Sequence, residues 1–335
     1  LGTIQPEAMG TTITHEHLLV DERPIYSEPE EPERKATYHA PLTIEVLGRI
    51  LYSGHDNLES VTMLDEKMAI EEVSAYKRAG GTTVVEVTPI GIHRQPEGLA
   101  RIAAAAGLNI VMGSSYDVDE AHPPEVDSMT EAEITDEIVA EFRDGVGKTG
   151  VRPGRIGEVG CSWPPPDNEE KVLRASARAQ RLTGAPLMIH PGRDEMAPKE
   201  AADILLDAGA DLSRTIMCHI DRTIFTHFIL GELAEMGCII EYDLFGHEHS
   251  LYTPNLAVDL PNDSQRIEWI KWLIAEGFGD QVVVSHDIDN RAYLARYGGP
   301  GYGHILENVV PRMRARDMTE DEINAILVET PRRLF

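Results

Sequence analysis

Six side chains able to hold a metal ion stand at the ends of short apolar runs. They are His15 and His17 in TITHEHLL, Glu158 in RIGEVG, His190 in PLMIH, His219 in TIMCH and Asp287 in VVVSHD. Neutral imidazole and carboxylate together suit zinc and its first-row neighbours, with no need for sulfur. A His-x-His spacing puts both imidazoles on one side of a strand, because side chains alternate with period two, and turns Glu16 into the wall. That pair alone is a weak signal. With 13 His in the chain, about half an occurrence is expected by chance. A second copy, His247-Glu248-His249, follows Gly246 after the run CIIEYDLF and reads as a solvated loop.

A lone His closing an apolar run is more often a satisfied core residue than a ligand. His190 and His219 close successive runs at the same end, with a His pair early and an Asp late, and together they describe one centre. Glu158 lies between Gly157 and Gly160, which leave room beside it. A buried acid is costly unless it is paired or binds a cation. A structural salt bridge is the plainer reading; a carboxylate bridging two ions is the sharper one and is preferred. Asp287 has a rival in Asp289 but stands directly after VVVSH, where a carboxylate can ligate one ion and accept a proton. Cys218 adjoins His219 on the opposite face by alternation and reads as packing.

An apolar run followed at once by a ligand reads as a buried parallel strand delivering one polar group at its carboxyl end. Such runs recur as ITHEHLLV, TTVVEVTP, NIVMGSSY, RIGEVGCS, PLMIHPG, TIMCHID, CIIEYDLFG and VVVSHDID, each later one reached through a helical stretch. These stretches fall near 65–79, 97–106, 130–144, 168–183, 199–208, 224–236 and 265–276, with a last one over 319–329. The expected fold is α/β, a single (β/α)8 TIM barrel of the metal-dependent hydrolase type over residues 1–335. Its chemistry would lie at the carboxyl-end mouth. The Pro- and Glu-rich stretch from Asp21 to Ala40 reads as a solvated loop for its charges. As part of a longer segment around 21–60 it is also a candidate lid.

The formal net charge of −27 disfavours nucleic acid, which needs clustered Lys and Arg. Cys161, Cys218 and Cys238 are odd in number and lack CxxC spacing, which favours a reducing, cytoplasmic setting over a disulfide framework. No stretch approaches the length of a membrane span and no charged-then-apolar leader opens the chain, although a first residue of Leu leaves a removed leader open. A homodimer is compatible with such a barrel, although no interface is legible.

Taken in order, TTITHEHLL, GEVGCSWP, IHPGR, CHIDRTIF, EYDLFG, SHDI and YGGPGYGHIL resemble the phosphotriesterase family of the amidohydrolase superfamily, in particular its phosphotriesterase-related (resiniferatoxin-binding-like) branch. The resemblance covers essentially the whole chain. It implies two divalent metal ions, zinc first, with manganese, cobalt or nickel also suited to these ligands. His15, His17 and Asp287 would hold the more buried ion, and His190 and His219 the second. The bridging position, a carboxylated lysine in organophosphate-degrading members, is Glu158 here, which argues against phosphotriesterase activity as the main function. The implied reaction is attack by a metal-bridging hydroxide on a small amide or ester-type bond, with Asp287 taking the proton. Relatives of this branch act on N-acyl amino sulfonates such as N-acetyltaurine. A small anionic amide is therefore the expected substrate, a lactonase or weak phosphotriesterase the next choice and a non-catalytic ligand-binding barrel the third. Arg193 and Arg222, each shortly after a metal-site His, could grip the anionic group, and Tyr116 and Tyr242 could line the pocket.

Overall fold

The apolar runs that end in ligands fold as neighbouring parallel strands. The computed structural model describes residues 2–52 and 57–335. Its strands are β1 (Thr12–Glu16), β2 (Val20–Asp21), β3 (Thr62–Met63), β4 (Thr83–Glu86), β5 (Asn109–Ser114), β6 (Arg155–Gly160), β7 (Leu187–His190), β8 (Thr215–Met217), β9 (Ile239–Tyr242) and β10 (Val282–Val284). Eight of them form one sheet in the order β1-β4-β5-β6-β7-β8-β9-β10, every ladder parallel. Helices fill the connections: α1 (Pro32–Tyr38), α2 (Ile44–Tyr52), α3 (Glu66–Arg78), α4 (Pro96–Ala106), α5 (Glu131–Asp144), α6 (Asp167–Thr183), α7 (Ala197–Asp207), α8 (His227–Glu235) and α9 (Asp263–Ala275). This is a (β/α)8 TIM barrel.

The seam between β1 and β10 is joined largely by side chains. Thr14 Oγ1 donates to the Val284 carbonyl at 3.2 Å, and Ser285 Oγ accepts from the His15 amide at 2.8 Å. Glu16 extends the join. Its Oε1 accepts from Ser285 Oγ and the His286 amide, and its Oε2 from the Ile288 amide. The acid expected to vanish into the wall thus ties the first strand to the turn that carries Asp287.

Most apolar burial lies between the barrel and its helices. A smaller cluster of Val85, Val87, Met188, Ile216, Cys218, Ile239, Val283 and Leu334 forms a second core. Helix ends follow local chemistry: Thr130 and Glu133 form a capping box at the start of α5, and Asp65 accepts from the Lys67 and Met68 amides at the start of α3.

Three readings need correction. The stretch after Asp21 is more than a loop: β2 pairs antiparallel with β3, and α1 and α2 fold between them. Leu42 and Ile50 bury against Ala292 there, which supplies the apolar anchor that composition alone concealed. Residues 53–56 of the expected lid lie outside the described residues. The helix expected from Ile224 starts at His227, because a tight turn at Ile220–Arg222 precedes it and Thr226 caps it. A helical segment over Ile305–Arg314 follows the Gly-rich YGGPGYG run and was not anticipated. The second His-Glu-His lies in irregular backbone after β9, but the solvated reading holds only for Glu248: His247 is buried and stacks on Tyr293.

Candidate metal centre

Register irregularities interrupt β1 between Ile13 and Glu16, and β6 between Ile156 and Val159. Such bulges re-aim side chains, and these two carry His15 and Glu158. Gly157 makes the second one feasible. Its φ is +97°, and a Cβ there would lie 2.3 Å from the Met188 carbonyl oxygen. His219 and Asp287 also leave the strand geometry, with φ of +55° and +50°. Left-handed backbone at ordinary residues costs about 1–3 kcal/mol each and persists where the surroundings hold it. Here the His219 amide donates to Asp243 and the Asp287 amide to the His15 carbonyl.

The result is convergence of all six sequence-derived candidates. Glu158 Oε1 lies 2.7 Å from His190 Nδ1 and 2.8 Å from His219 Nε2, and these two nitrogens are 3.0 Å apart. Glu158 Oε2 faces the other way, 3.3 Å from His15 Nε2. Asp287 Oδ1 lies 3.5 Å from the Nε2 atoms of both His15 and His17. Asp289 joins none of the ligand clusters found among the described residues.

Each of three imidazoles is held from behind. His15 Nδ1 meets Glu241 Oε2 at 3.0 Å, His219 Nδ1 meets Asp243 Oδ1 at 3.0 Å, and His17 Nδ1 meets Thr88 Oγ1 at 3.0 Å. Thr88 donates in turn to Glu86. Such contacts fix the tautomer and aim the other nitrogen at the centre. The sequence reading passed over Glu241, Asp243 and Thr88, although the signal was present. In EYD and in EVT, period-two spacing puts two polar groups on one face of a strand end, the rule already applied to His15 and His17.

The electrostatics call for a cation. Burial alone would raise the Glu158 carboxyl, but the His15 and His190 imidazoles outweigh it and hold it well below the usual carboxylate range. Burial opposes protonation of His219, yet the Asp243 carboxylate raises it to about 10. His15 is likewise raised despite burial, chiefly by Glu158. His190 goes the other way, to about 3, through burial, His219 and Arg222. In the chain alone, the surrounding carboxylates favour protons on His15 and His219. His15 Nε2 is wholly buried without a hydrogen-bond partner among the described residues, beside two carboxylate oxygens. This donor set fits divalent ions, which would displace those protons.

Cys218 keeps the alternation of its strand, packing with Ile216 in the second core while Met217 between them packs in the larger one. The left-handed turn at His219 is what breaks the pattern, and it brings that histidine round to the side of Cys218 and His15. Burial raises the Cys218 thiol well above the ordinary range and keeps it protonated.

The four expected substrate contacts separate. Arg193 is exposed, and its Nε donates to Tyr252 Oη at 2.8 Å. Arg222 is buried and donates to His190 Nε2 at 2.9 Å and to the Pro191 carbonyl, so it braces a cluster imidazole. Tyr116 donates to Glu137 of α5, in the helix layer. Tyr242 lines a different cavity. Glu241 and Asp243 on either side of it turn toward His15 and His219, and alternation sends Tyr242 the other way.

A sequence profile of the Phosphotriesterase family matches residues 1–335. The chain belongs to that family. The phosphotriesterase-related protein of Nematostella vectensis is 44% identical over 334 residues, spanning 99% of this chain and 95% of that one. The N-acetyltaurine hydrolase of Salmo salar is 42% identical, with the same spans. The crystal structure of a resiniferatoxin-binding protein from Rhodobacter sphaeroides superposes with a TM-score of 0.94 at 34% identity, covering 99% of this chain and 92% of that one. This member of the phosphotriesterase family is a hydrolase, the family is metal-dependent, and the buried His, Glu and Asp cluster is able to bind metal. Among the described residues no helix is long and apolar enough to cross a membrane.

Proposed function

We propose that this chain is a binuclear metal-dependent hydrolase that cleaves the amide of a small anionic N-acyl amino sulfonate or N-acyl amino acid. The observation that carries the reading is the division of Glu158: one oxygen faces His190 and His219, the other faces His15. A carboxylate so placed suits a bridge between an ion held by His15, His17 and Asp287 and another held by His190 and His219. Relatives named N-acetyltaurine hydrolase, about as long as this chain, support the substrate class.

Two divalent ions at such a centre would supply Lewis acidity and bring the pKa of water toward neutrality. The chain's own residues do the rest. Glu241, Asp243 and Thr88 hold three imidazoles in one orientation, so little reorganisation is needed at the moment of reaction. Asp287 combines contact with the cluster and partial exposure, its side chain 13% accessible. Its Oδ atoms are the group to take a proton from water and return it to the leaving amine. Arg193 is an exposed cation three residues after His190, held by Tyr252. It would grip the sulfonate or carboxylate.

The test is metal analysis of the purified protein followed by hydrolysis of N-acetyltaurine, N-acyl amino acids, lactones and a phosphotriester. About two metals per chain, with turnover of the anionic amides that a chelator abolishes, is the expected outcome. Turnover confined to lactones would overturn the substrate class. Asp287→Asn should remove turnover while keeping most substrate affinity.

A further inference from the structure

The run YGGPGYGHIL, at 297–306, supplies none of the six candidate ligands, yet it meets the framework of the metal cluster at two points. Tyr302 is buried, and its hydroxyl donates to the His17 carbonyl at 2.6 Å. Three residues on, the Ile305 amide donates to His286 Nε2 at 3.0 Å. A ring nitrogen that accepts from an amide carries no proton, so His286 bears its proton on Nδ1 and donates it to Glu16. His286 is wholly buried and directly precedes Asp287.

The run is itself fixed from outside. Its Gly301 amide donates to the Tyr293 carbonyl at 2.9 Å, and His304 Nε2 lies 2.7 Å from Asp263 Oδ2 at the start of α9. Gly299 approaches so closely that a Cβ there would lie 2.2 Å from the Tyr293 carbonyl carbon. A segment anchored in this way can hold what it touches.

What it touches belongs to one half of the cluster. His17 is held twice, its ring by Thr88 and its carbonyl by Tyr302. Asp287 occupies a left-handed turn, which persists only where the surroundings fix it, and the His286 ring beside it is held at both nitrogens. Among the described residues, the run makes no hydrogen bond to His190 or His219. Ligands must be kept within about 0.5 Å of their working positions, so a lost anchor is felt at the ion. We infer that Tyr302 and His286 are positioning residues for the ion held by His15, His17 and Asp287, and take no part in holding the ion at His190 and His219. The inference rests on the two-ion reading above.

The experiment is chelator competition on the zinc-loaded full chain, which reads the two dissociation constants separately. Tyr302→Phe should raise one of them about tenfold, the usual effect of losing a contact behind a ligand, and leave the other unchanged. His286→Ala should raise the same constant. His286→Gln, whose side-chain oxygen can accept from the Ile305 amide, should recover most of that loss. Arg222→Ala, which frees His190 from its brace, should raise the other constant instead. If Tyr302→Phe and His286→Ala shift both constants together, as a general loss of stability would, or shift neither, the inference is overturned. A His286→Gln no better than His286→Ala also counts against it. A wild-type chain that binds a single zinc ion or none would overturn the binuclear reading first, and this inference with it.

Discussion

The Nδ1 of His15 lies 3.0 Å from Glu241 Oε2, and both side chains are wholly excluded from solvent. This contact sets which nitrogen of His15 turns to the centre. Losing such a contact typically lowers metal affinity 10–100-fold, roughly the effect expected of Glu241→Ala. Glu241→Gln, which keeps an acceptor, should lose less. Competition against a chelator measures both.

Glu158 faces both halves of the cluster, so Glu158→Ala should reduce the metal content of the protein and remove turnover. Because a glutamate needs no carboxylation, adding bicarbonate should leave the rate of metal reconstitution unchanged. A bicarbonate-dependent rate would contradict the bridging role.

Asp117 supplies a pH signature. Burial, then the charge of Glu158, raises its carboxyl from 3.8 to about 7. An acid whose pKa is raised by folding contributes stability that is present below its unfolded value and lost as pH rises through the folded one. Metal-stripped protein should therefore lose stability between about pH 4 and pH 7, and Asp117→Asn should lose less of it, because burial also raises Asp289 to about 7 and Asp221 to about 6. The variant's advantage in melting temperature should open across that window. Metal loading should shrink it, because nearby positive charge lowers the Asp117 pKa.

Arg193 and Tyr116 were equal candidates for substrate contact, but their surroundings now differ. Arg193→Ala should raise KM roughly tenfold or more for an anionic amide, the value of a charged hydrogen bond, with little effect on a neutral analogue. Tyr116→Phe should leave KM alone and cost about 1 kcal/mol of stability through the lost bond to Glu137. Steady-state kinetics and urea unfolding separate the two.

Gly157→Ala would drive a methyl group into the Met188 carbonyl and demand a left-handed alanine. A loss of about 3 kcal/mol or more is expected in urea unfolding, with metal binding weakened along with it.

The barrel was legible because each strand announces itself twice, by an apolar run and by the polar residue that ends it. The helices were legible to within a few residues wherever a cap or a glycine marked the end, as at Thr130 and Gly107. The β2–β3 pair and α1 were not, since two-residue strands carry no periodicity and the surrounding charges read as loop. Tyr116 and Tyr242 show a different limit at the scale of one side chain. A residue at a strand end belongs to the mouth or to the helix layer according to its phase; alternation between Glu241 and Asp243 sets it for Tyr242, and the left-handed Ser115 intervenes before Tyr116.

By itself the sequence determined the residue types of the centre, their order along the chain and their common placement at carboxyl ends of strands. Hydrophobic periodicity and ligand chemistry are both local. What only the tertiary structure decided was how those ligands meet. The bulges at His15 and Glu158, the left-handed turns at His219 and Asp287, and the acids behind the imidazoles arise from strands distant in sequence crowding into one closed ring. Tertiary packing likewise turned Arg222 toward His190 and left Arg193 exposed. Both arginines follow a histidine of the centre, and only the neighbours packed around each one distinguish them.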